Sequence, residues 1–435
     1  MKPALDLFVL PDRNRDMILY APLLQKIAKV NEATIDLVSR YIDEEPISAE
    51  EEPVIKILAE HGFFEEAAPL PADDVFAPVQ VTLFPSDGCN LRCRYCYAAA
   101  TGVKHIMDPN IARAAIDLVA ENASKKQAED FVVNFHGNGE PFTAFALLQE
   151  LCVYAQKKSE EINLKLNMSI ATNGVLTEVQ QDFLLAWFSG VNVSFDGLPD
   201  LQDRQRPKAD GSGSFYEVDS TLKRLDAMDK NYGIRATLTT ESVERLEEIV
   251  DFVRTHYKNC RHLHIEPAWE CGRCLTTGEQ SPEADLFIEK YLNAAQNMKS
   301  DQMRLVFSGE RYNTITNSFC AVSTGGFTVT TSGYATACYE VCSPDDPRSS
   351  KYFFGRYRPE SRAFEFDEQK LQALREVKVE NMPYCKDCFC KWHCAGDCAA
   401  KILGANPPEQ HEGSDRCRIT RALTLEQIRY ELRED

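Results

Sequence analysis

The sequence predicts an α/β fold in which a partial (β/α)6 barrel lies between a small N-terminal α+β module and a cysteine-rich C-terminal region. Short apolar strands alternate with amphipathic helices from Val79 to about Phe307, and this alternation is typical of a parallel sheet. No cysteine precedes Cys89, whereas nine of the 16 cysteines follow Phe319. A length of 435 residues suits about three domain-sized units. We therefore predict domains over residues 1–75, 76–308 and 309–435.

The overall composition is that of a globular protein. Hydrophobic residues make up 44% of the chain and charged residues 26%, which excludes a disordered, collagenous or fibrous chain. The net charge of -19 repels phosphate backbones and anionic lipids, so we expect neither a nucleic-acid nor a membrane partner. No apolar run approaches the ~18 residues of a membrane span, and MKPALDLFVLPDR lacks the long apolar segment of a signal peptide. We expect a soluble, cytoplasmic protein.

The N-terminal module is predicted from three patterns. LFVLPDRNRDMILY indicates a β-hairpin around a polar turn, and NEATIDLVSRYI and EEPVIKILAEHGFF indicate two short amphipathic helices. EEAAPLPADD then reads as a linker rich in proline and acidic residues.

The barrel is predicted from six apolar strands with helices between them. The strands are VQVTLF, DFVVNF, LKLNMSIA, VNVSFD, IRATLT and HLHIEP. The helices include NIARAAIDLVAENA, LTEVQQDFLLAWF, EVDSTLKRLDAM and ESVERLEEIVDFVRTHY. Six such units favour a TIM-like partial barrel, whose functional groups lie on the loops that follow the strands. After the cysteine-rich region, RITRALTLEQIRYELRE indicates a terminal helix.

The first cysteine motif follows the first barrel strand directly. Cys89, Cys93 and Cys96 stand in a C-x3-C-x2-C spacing within FPSDGCNLRCRYCYAAA. A structural zinc site takes four ligands, and the nearest further candidate is His105. Three thiolates would instead hold a cubane iron–sulfur cluster with one iron left open. The alternative is an incomplete zinc knuckle.

This triad and the loops after the next strands resemble the radical S-adenosylmethionine (SAM) superfamily. Tyr95 fills the aromatic position before the third cysteine, and HGNGEP after the second strand is similar to the Gly-Gly-Glu-Pro loop, with Asn138 in place of the first glycine. ATNG after the third strand and VSFDG after the fourth match the next loops. The resemblance implies that SAM is bound by Tyr95, Asn138, Gly139, Glu140, Thr172, Asn173, Ser194, Asp196, Arg206 and Leu238.

The resemblance also implies a role for parts of this set. Asn138 to Glu140 receive the ammonium of SAM, and Ser194 and Asp196 lie by its ribose. Arg206 lies twelve residues after Ser194, the spacing that matches the carboxylate-binding arginine, and a guanidinium fork fits a carboxylate; a solvated surface charge is the alternative. Leu238 and the Glu266-Pro267 pair are weaker candidates for the adenine pocket, with ordinary core residues as the alternative.

The chemistry implied by the resemblance is radical formation at the open iron. SAM chelates that iron, one electron breaks a C–S bond, and the resulting 5′-deoxyadenosyl radical removes a hydrogen atom from the substrate. The protein orients the substrate and keeps solvent away from the radical.

The C-terminal cysteines resemble the SPASM extension of radical SAM enzymes, which carries two auxiliary 4Fe–4S clusters. By this resemblance Cys320, Cys338 and Cys398 bind the inner cluster, and the outer cluster is bound by Cys385, Cys388, Cys394 and Cys417. The inner cluster lacks a fourth ligand, for which we favour Cys342. Cys271, Cys274 or an open iron are alternatives, and a zinc ribbon is the alternative for the whole region. Cys152 is expected in the core, and no role is assigned to Cys260 or Cys390.

The substrate prediction rests on two further features. Sulfatase maturases are expected to place an aspartate base directly after the inner-cluster cysteine, where this chain has Tyr339 followed by Glu340. We take Tyr339 and Glu340 as candidate catalytic residues, with Glu340 as a displaced base. The N-terminal module resembles leader-binding winged-helix domains, which take up a peptide by strand addition; a packing cap is the alternative.

The sequence therefore predicts a radical SAM/SPASM peptide maturase with three 4Fe–4S clusters. Its expected partners are a ribosomally made precursor peptide and a flavodoxin- or ferredoxin-type reductant, and its expected product is a C–C or thioether cross-link. A formylglycine-forming sulfatase maturase or another SPASM dehydrogenase is the alternative within the same enzyme class. A non-catalytic zinc-binding scaffold is the alternative from another class.

Overall fold

The computed structural model describes residues 6–13, 16–70, 75–102, 105–298 and 302–434. Within these ranges the strands are β1 Phe8–Pro11, β2 Met17–Ala21, β3 Lys26–Val30, β4 Gln80–Leu83, β5 Asp130–Phe135, β6 Lys165–Thr172, β7 Gly190–Ser194, β8 Tyr232–Leu238, β9 Cys260–Pro267, β10 Arg304–Val306, β11 Thr328–Val329, β12 Tyr334–Thr336, β13 Phe353–Arg358 and β14 Ala363–Phe366. The helices are α1 Glu32–Ile42, α2 Glu52–Glu60, α3 Pro109–Lys126, α4 Phe145–Ile162, α5 Glu178–Trp187, α6 Pro199–Gln205, α7 Phe215–Ala227, α8 Leu246–His256, α9 Cys274–Thr277, α10 Ala284–Gln296, α11 Ser349–Tyr352, α12 Glu368–Arg375, α13 Lys391–Cys394, α14 Ala399–Ile402 and α15 Asp415–Glu434.

The N-terminal module is a three-stranded antiparallel sheet, β1-β2-β3, covered by α1 and α2. The predicted hairpin pairs Phe8 with Tyr20, and the turn residues Asn14 and Arg15 lie outside the described residues. Both predicted helices are confirmed, and Asn31 caps the first of them by accepting from the Thr34 amide. The sequence prediction missed β3, because KIAKV does not alternate regularly between apolar and polar residues. Residues 71–74 of the predicted linker also lie outside the described residues.

The barrel sheet contains one more parallel strand than predicted. Strands β4 to β9 match the six predicted strands, and β10 pairs in parallel with β9 as a seventh. This strand was missed because its three residues are too few to show a period. Since the strands are parallel, the loops at their C-terminal ends lie at one edge of the sheet. The α/β class and the partial barrel are confirmed.

The C-terminal region extends the same sheet. Strand β11 pairs in parallel with β4, placing Thr328 opposite Thr82, and β12, β13 and β14 follow in antiparallel order. One hydrophobic cluster includes Val81 of the barrel and Phe327 of the C-terminal region. The cysteine-rich region is thus packed against the barrel through a shared sheet and core.

The N-terminal module packs against the C-terminal helix α15. Leu10, Ile18 and Tyr20 form an apolar cluster with Ile428 of that helix, and each of these four side chains is buried. No helix in the ranges that the structure describes is both long and apolar enough to span a membrane.

A buried ionic network joins the barrel to the C-terminal region. Arg416 of α15 donates to Glu266 of β9 at 2.9 Å and to Asp397 at 2.8 Å, and its side chain is only 4% exposed. Burial disfavours ionisation of Glu266, but Arg416 outweighs burial and holds the pKa of that carboxyl well below its usual range. Removing one partner from such a network leaves a buried charge unpaired.

We predict that Arg416→Met lowers the unfolding free energy by about 3–5 kcal/mol, because Glu266 and Asp397 would both lose the guanidinium that they contact in the buried network. Urea unfolding followed by circular dichroism measures the change. Arg358→Met is the matched control, because Arg358 forms an exposed ion pair with Glu365 at 2.7 Å and such pairs contribute about 0–1 kcal/mol. Equal effects of the two substitutions would contradict the prediction.

Candidate functional site

The three cysteines of the first motif lie together on the loop that follows β4. Cys89, Cys93 and Cys96 are free, half-buried thiols. Burial, with the charge of neighbouring Cys96 adding to it, raises the pKa of Cys89 to about 11 and that of Cys93 to about 12. The loop itself is held by main-chain hydrogen bonds: Arg92 N to Pro207 O at 2.7 Å, Arg94 N to Gln205 O at 2.9 Å and Cys89 N to Thr101 O at 3.2 Å.

The loop after β5 packs directly on the cysteine loop. The Glu140 amide donates to the Gly88 carbonyl at 2.9 Å. A Cβ on Gly139 would lie 2.2 Å from the same carbonyl oxygen, so only glycine permits this close approach. This close approach explains why Gly139, which the chain shares with the Gly-Gly-Glu-Pro loop, has to be a glycine.

Glu140 ties the loops after β5 and β6 together. Its buried carboxylate accepts from Thr172 Oγ1 at 2.8 Å, from the Asn173 amide at 2.7 Å and from the Phe142 amide at 3.2 Å. Burial raises the pKa of Glu140 to about 7, while these hydrogen bonds act in the opposite direction. Asn173 also donates to the Cys89 sulfur at 3.7 Å, and hydrogen bonds to sulfur tune the potential of an iron–sulfur centre. In the structure Glu140 accepts hydrogen bonds from groups of the protein itself. Its contact with SAM stays a prediction.

Asp196, on the loop after β7, connects the cysteine loop with strand β8 and with Arg206 after α6. It accepts from the Tyr95 hydroxyl, from Gln205 Nε2 at 2.8 Å, from Arg206 Nη2 at 3.1 Å and from the Thr237 amide at 3.1 Å. The Arg206 guanidinium also lies over the Tyr95 ring at 5.2 Å. Arg206 Nε is buried and lies 3.1 Å from Asp196 Oδ2, so the guanidinium contacts both oxygens of this carboxylate. Arg206 is thereby held by Asp196, and its predicted contact with the carboxylate of SAM stays a prediction.

The remaining predicted SAM residues differ in their surroundings. Ser194 is partly exposed at the end of β7, whereas Leu238 is fully buried in the main hydrophobic core. Glu266 is paired with Arg416, and both residues line a cavity of about 520 Å³ beside the C-terminal region. Arg204 pairs with Glu241.

Asn138 and Cys342 are in contact with one another. The Cys342 thiol donates to Asn138 Oδ1 at 2.9 Å, although the two residues are 204 positions apart in the sequence. Burial raises the pKa of Cys342 to about 12, and Cys96 is among the neighbouring groups that add to it. Cys342 therefore lies beside the predicted SAM loop.

The loop after β9 contributes a residue that the sequence prediction missed. Arg273, between Cys271 and Cys274, donates to the Cys93 carbonyl at 2.7 Å and to the Ala100 carbonyl. Arg273 therefore holds the cysteine loop in place through hydrogen bonds from the loop after β9. Its position between two cysteines after the sixth strand was the available signal. Cys274 packs with Cys93 and Tyr95 in a small apolar cluster.

The inner set of C-terminal cysteines lines a cavity of about 520 Å³. Cys320, Cys338 and Cys398 all contribute to its wall, together with Tyr339 and Glu340. Cys338 and Cys398 interact electrostatically, and each also interacts with Cys320. The structure brings this predicted set together.

Tyr339 faces the barrel strands. Its hydroxyl lies 3.2 Å from Thr82 Oγ1 of β4, and its ring stacks on His136 with 5.1 Å between the centroids. His136 Nδ1 is buried without a hydrogen-bond partner in the described ranges. Burial, aided by Arg235, lowers the pKa of His136 to about 4, so this imidazole is neutral at pH 7.

The outer set is also brought together. The charges of Cys385, Cys388 and Cys417 act on one another and on Cys394. Cys390, which had no assigned role, contacts Cys388; its hydrogen bond and the charge of Arg421 lower the pKa of Cys388. Cys152 and Cys260 are buried apart from these sets, as predicted for Cys152.

Residues 83–253 match the family model described as "Radical SAM superfamily". The chain carries a radical SAM domain. The match confirms the predicted resemblance to this superfamily over the barrel residues.

Curated relatives match parts of the chain. The cysteine-type anaerobic sulfatase-maturating enzyme of Clostridium perfringens is 26% identical over 205 residues, which cover 44% of this chain and 54% of that protein. The sporulation killing factor maturation protein SkfB of Bacillus subtilis is 20% identical over 274 residues, which cover 61% of each chain. The chain spans about half the length of the first curated relatives that it matches.

Solved structures share the fold around the radical SAM domain. The structure "Native anSMEcpe with bound AdoMet and Kp18Cys peptide" aligns with a TM-score of 0.63 at 17% identity, covering 82% of this chain and all 100% of that chain. Streptococcus suis SuiB aligns with a TM-score of 0.54 at 16% identity, covering 95% of this chain and 99% of SuiB. At these identities the likeness establishes the fold alone.

The residues of the radical SAM domain fit an iron–sulfur cluster by their chemistry. Three thiols on one loop supply the cluster donors. No group of three or more His, Cys, Asp or Glu side chains in the part of the chain that the structure describes converges tightly enough to hold a single metal ion. The fit therefore rests on the chemistry of the three-thiol donor set.

We predict that Gly139→Ala abolishes SAM binding by the full chain after its iron–sulfur cluster has been reconstituted. The added Cβ would collide with the Gly88 carbonyl and displace the cysteine loop. Isothermal titration calorimetry with SAM under anaerobic conditions measures the effect. Gly102→Ala is the control, since its Cβ would meet only the movable end of Arg92, at 2.9 Å. SAM affinity within a factor of about two of the parent in Gly139→Ala would refute the steric argument.

Proposed function

We propose that this protein is a radical SAM peptide maturase that removes a hydrogen atom from a residue of a ribosomally made precursor peptide and closes a C–C or thioether cross-link. The observation that carries the proposal is the grouping of the Cys89, Cys93 and Cys96 thiols beside the loops after β5, β6 and β7. A bound cluster with one open iron supplies the electron that splits SAM into methionine and the 5′-deoxyadenosyl radical.

The protein's own residues would position SAM and protect the radical. Arg206 would bind the SAM carboxylate while its Nε and Nη2 stay paired with Asp196. Ser194 ends β7 and Asp196 lies on the loop after it, where the ribose is expected. Tyr95 and Arg273 hold the cysteine loop from two sides. A loop fixed in this way keeps the reacting groups in one orientation, which is a large part of the protein's contribution to rate.

The C-terminal sets would hold two auxiliary clusters. The inner set lines the cavity beside the barrel strands, where an electron acceptor would lie close to a substrate radical. The outer set, farther along the chain, would relay that electron toward a flavodoxin- or ferredoxin-type partner. A chain with three clusters contains about twelve irons, whereas a zinc-binding scaffold contains zinc.

Two features favour a peptide over other substrates. SkfB is named as a maturation protein, and SuiB has been solved with precursor peptide SuiA. Sulfatase maturation is the second candidate, favoured by 26% identity to the Clostridium enzyme over 205 residues. Tyr339 stands where the aspartate base of that reaction is expected, and this difference favours cross-linking.

The N-terminal module offers a groove for a leader peptide. A cavity of about 660 Å³ is lined by β3 and by Val54, Ile57 and Leu58 of α2. In the described residues β3 pairs with β2 on one side only, so its other edge presents main-chain groups that an extended peptide can pair with. Ile57 is 54% exposed and would contact an apolar leader side chain.

We predict that changing Cys89, Cys93 and Cys96 together to Ala abolishes 5′-deoxyadenosine formation and removes about four irons per chain. Anaerobic incubation with SAM and dithionite, followed by chromatography, measures the product, and a colorimetric assay measures iron. Cys152→Ala is the control, because Cys152 is buried in the hydrophobic core away from all three sets. Undiminished SAM cleavage in the triple variant would overturn the proposed function.

We predict that Ile57→Glu weakens binding of the precursor peptide at least tenfold, because it replaces an exposed apolar side chain of the groove with a charged one. To identify the peptide, the protein is co-expressed with the short open reading frames beside its gene. The substrate is the peptide whose mass falls by two hydrogen atoms. Fluorescence anisotropy measures affinity. Val179→Glu is the control, since Val179 is also an exposed apolar residue, at 65%, but lies on α5, away from the groove. Unchanged peptide affinity with Ile57→Glu would reduce the module to a packing cap.

A further inference from the structure

The inner cysteine set is one ligand short, and the structure places an acidic side chain in the same cavity. Cys320, Cys338 and Cys398 line the cavity of about 520 Å³, and Glu340 lines it as well. A cubane cluster has four irons and so takes four protein ligands when fully bound. A fourth donor from this chain has to reach the cavity wall to complete the set.

The sequence favoured Cys342 as this donor, but the structure directs its thiol elsewhere. Cys342 Sγ lies 2.9 Å from Asn138 Oδ1, at the predicted SAM loop. The charges acting on it belong to Asp346, Arg348 and Cys96, whereas the three inner thiols act on one another. Cys342 is also absent from the cavity wall.

The other cysteine candidates also lie outside the cavity wall. Cys274 packs against Tyr95 and Ala268. Cys271 interacts electrostatically with Glu340, but it does not line the cavity. Cys271 therefore remains the cysteine that an experiment has to test.

Glu340 carries an unsatisfied atom at this place. Its Oε2 is buried and makes no hydrogen bond to any residue that the structure describes. Two cations lie near it, with Arg348 Nη1 3.7 Å from Oε2 and Lys401 Nζ 3.6 Å from Oε1. A buried carboxylate oxygen that makes no hydrogen bond is costly, and a bound iron would give this oxygen a direct partner.

We propose that the Glu340 carboxylate is the fourth protein ligand of the inner cluster. The inference rests on the proposed function, because it takes an inner cluster at Cys320, Cys338 and Cys398 as given. Replacing a thiolate by a less electron-donating ligand raises the reduction potential of an iron–sulfur cluster. A carboxylate-ligated inner cluster is thereby a better acceptor for an electron from an oxidised peptide. Glu340 then acts as a ligand instead of a displaced catalytic base.

The test uses the full chain with Cys89, Cys93 and Cys96 changed to Ala, so that only auxiliary clusters contribute spectra. Glu340→Gln, Cys342→Ala and Cys271→Ala are compared by electron paramagnetic resonance of the reduced proteins, with and without added cyanide. Cyanide binds an iron that lacks a protein ligand. We expect it to change the spectrum of Glu340→Gln alone, and we expect this variant to lose on the order of one iron per chain on mild oxidation. Glu340→Cys should restore insensitivity to cyanide.

Lys401→Met separates ligation from electrostatics, because it removes the ion pair with Glu340 and leaves the carboxylate in place. We expect its spectrum to remain insensitive to cyanide. The inference is overturned if cyanide already changes the parent spectrum, if Glu340→Gln behaves as the parent, or if Cys271→Ala or Cys342→Ala opens an iron instead. Cys338→Ala tests whether the inner cluster exists at all, separately from the identity of its fourth ligand. An unchanged iron content in that variant would refute the inner cluster and, with it, the auxiliary-cluster part of the proposed function.

Discussion

The buried ion pair between Arg206 and Asp196 is the interaction on which the geometry of the cysteine loop depends. Asp196 is 1% exposed and receives hydrogen bonds from Tyr95 on the cysteine loop, from Thr237 on β8 and from Arg206 after α6. A single carboxylate thus joins three loops at the C-terminal edge of the sheet. Because both charges are out of water, loss of either one leaves the other uncompensated, at a cost of about 3–5 kcal/mol.

An arginine accompanies each cysteine set in a chain whose net charge is -19. Arg206 lies near Cys93, and Arg421 lies near Cys388 in the outer set. Arg311 donates to the Cys394 carbonyl at 3.0 Å and to the Phe319 carbonyl, next to Cys320, at 2.7 Å. Thiolate-ligated clusters are anionic, and burial of an anion is expensive without a nearby cation. Positive charge is therefore placed beside the sulfurs although the chain as a whole is acidic.

The fold was predictable where the pattern is long and periodic. Helices α3 and α8 and strands β5 and β6 were found because each spans enough residues to show a period of 3.6 or 2. Strand β3 was missed because KIAKV does not alternate regularly between apolar and polar residues, and β10 and β11 because they have only three and two residues. Pairing partners decide the conformation of such strands. Continuity of the C-terminal strands with the barrel sheet had no local signal, because it depends on pairing between β4 and β11.

The site was predictable to the extent that its residues form contiguous motifs. The cysteine loop and the loops after β5, β6 and β7 were located because their residues follow strands directly. Contacts between distant parts were not predictable, and the pair of Asn138 with Cys342 is the clearest example, at a separation of 204 residues. The same holds for Arg273, whose hydrogen bonds to the cysteine loop appear only when β9 is folded beside β4's loop.

The most direct test of a cluster with an open iron is a measurement of contact between SAM and that cluster. Electron–nuclear double resonance on the reduced full-length protein, with SAM carrying an isotope-labelled amino nitrogen, detects whether this nitrogen is bound to iron. We expect a strong hyperfine coupling from the labelled nitrogen. Absence of that coupling in protein that contains iron and binds SAM would contradict the assignment of Cys89, Cys93 and Cys96 as a three-thiolate, SAM-binding set.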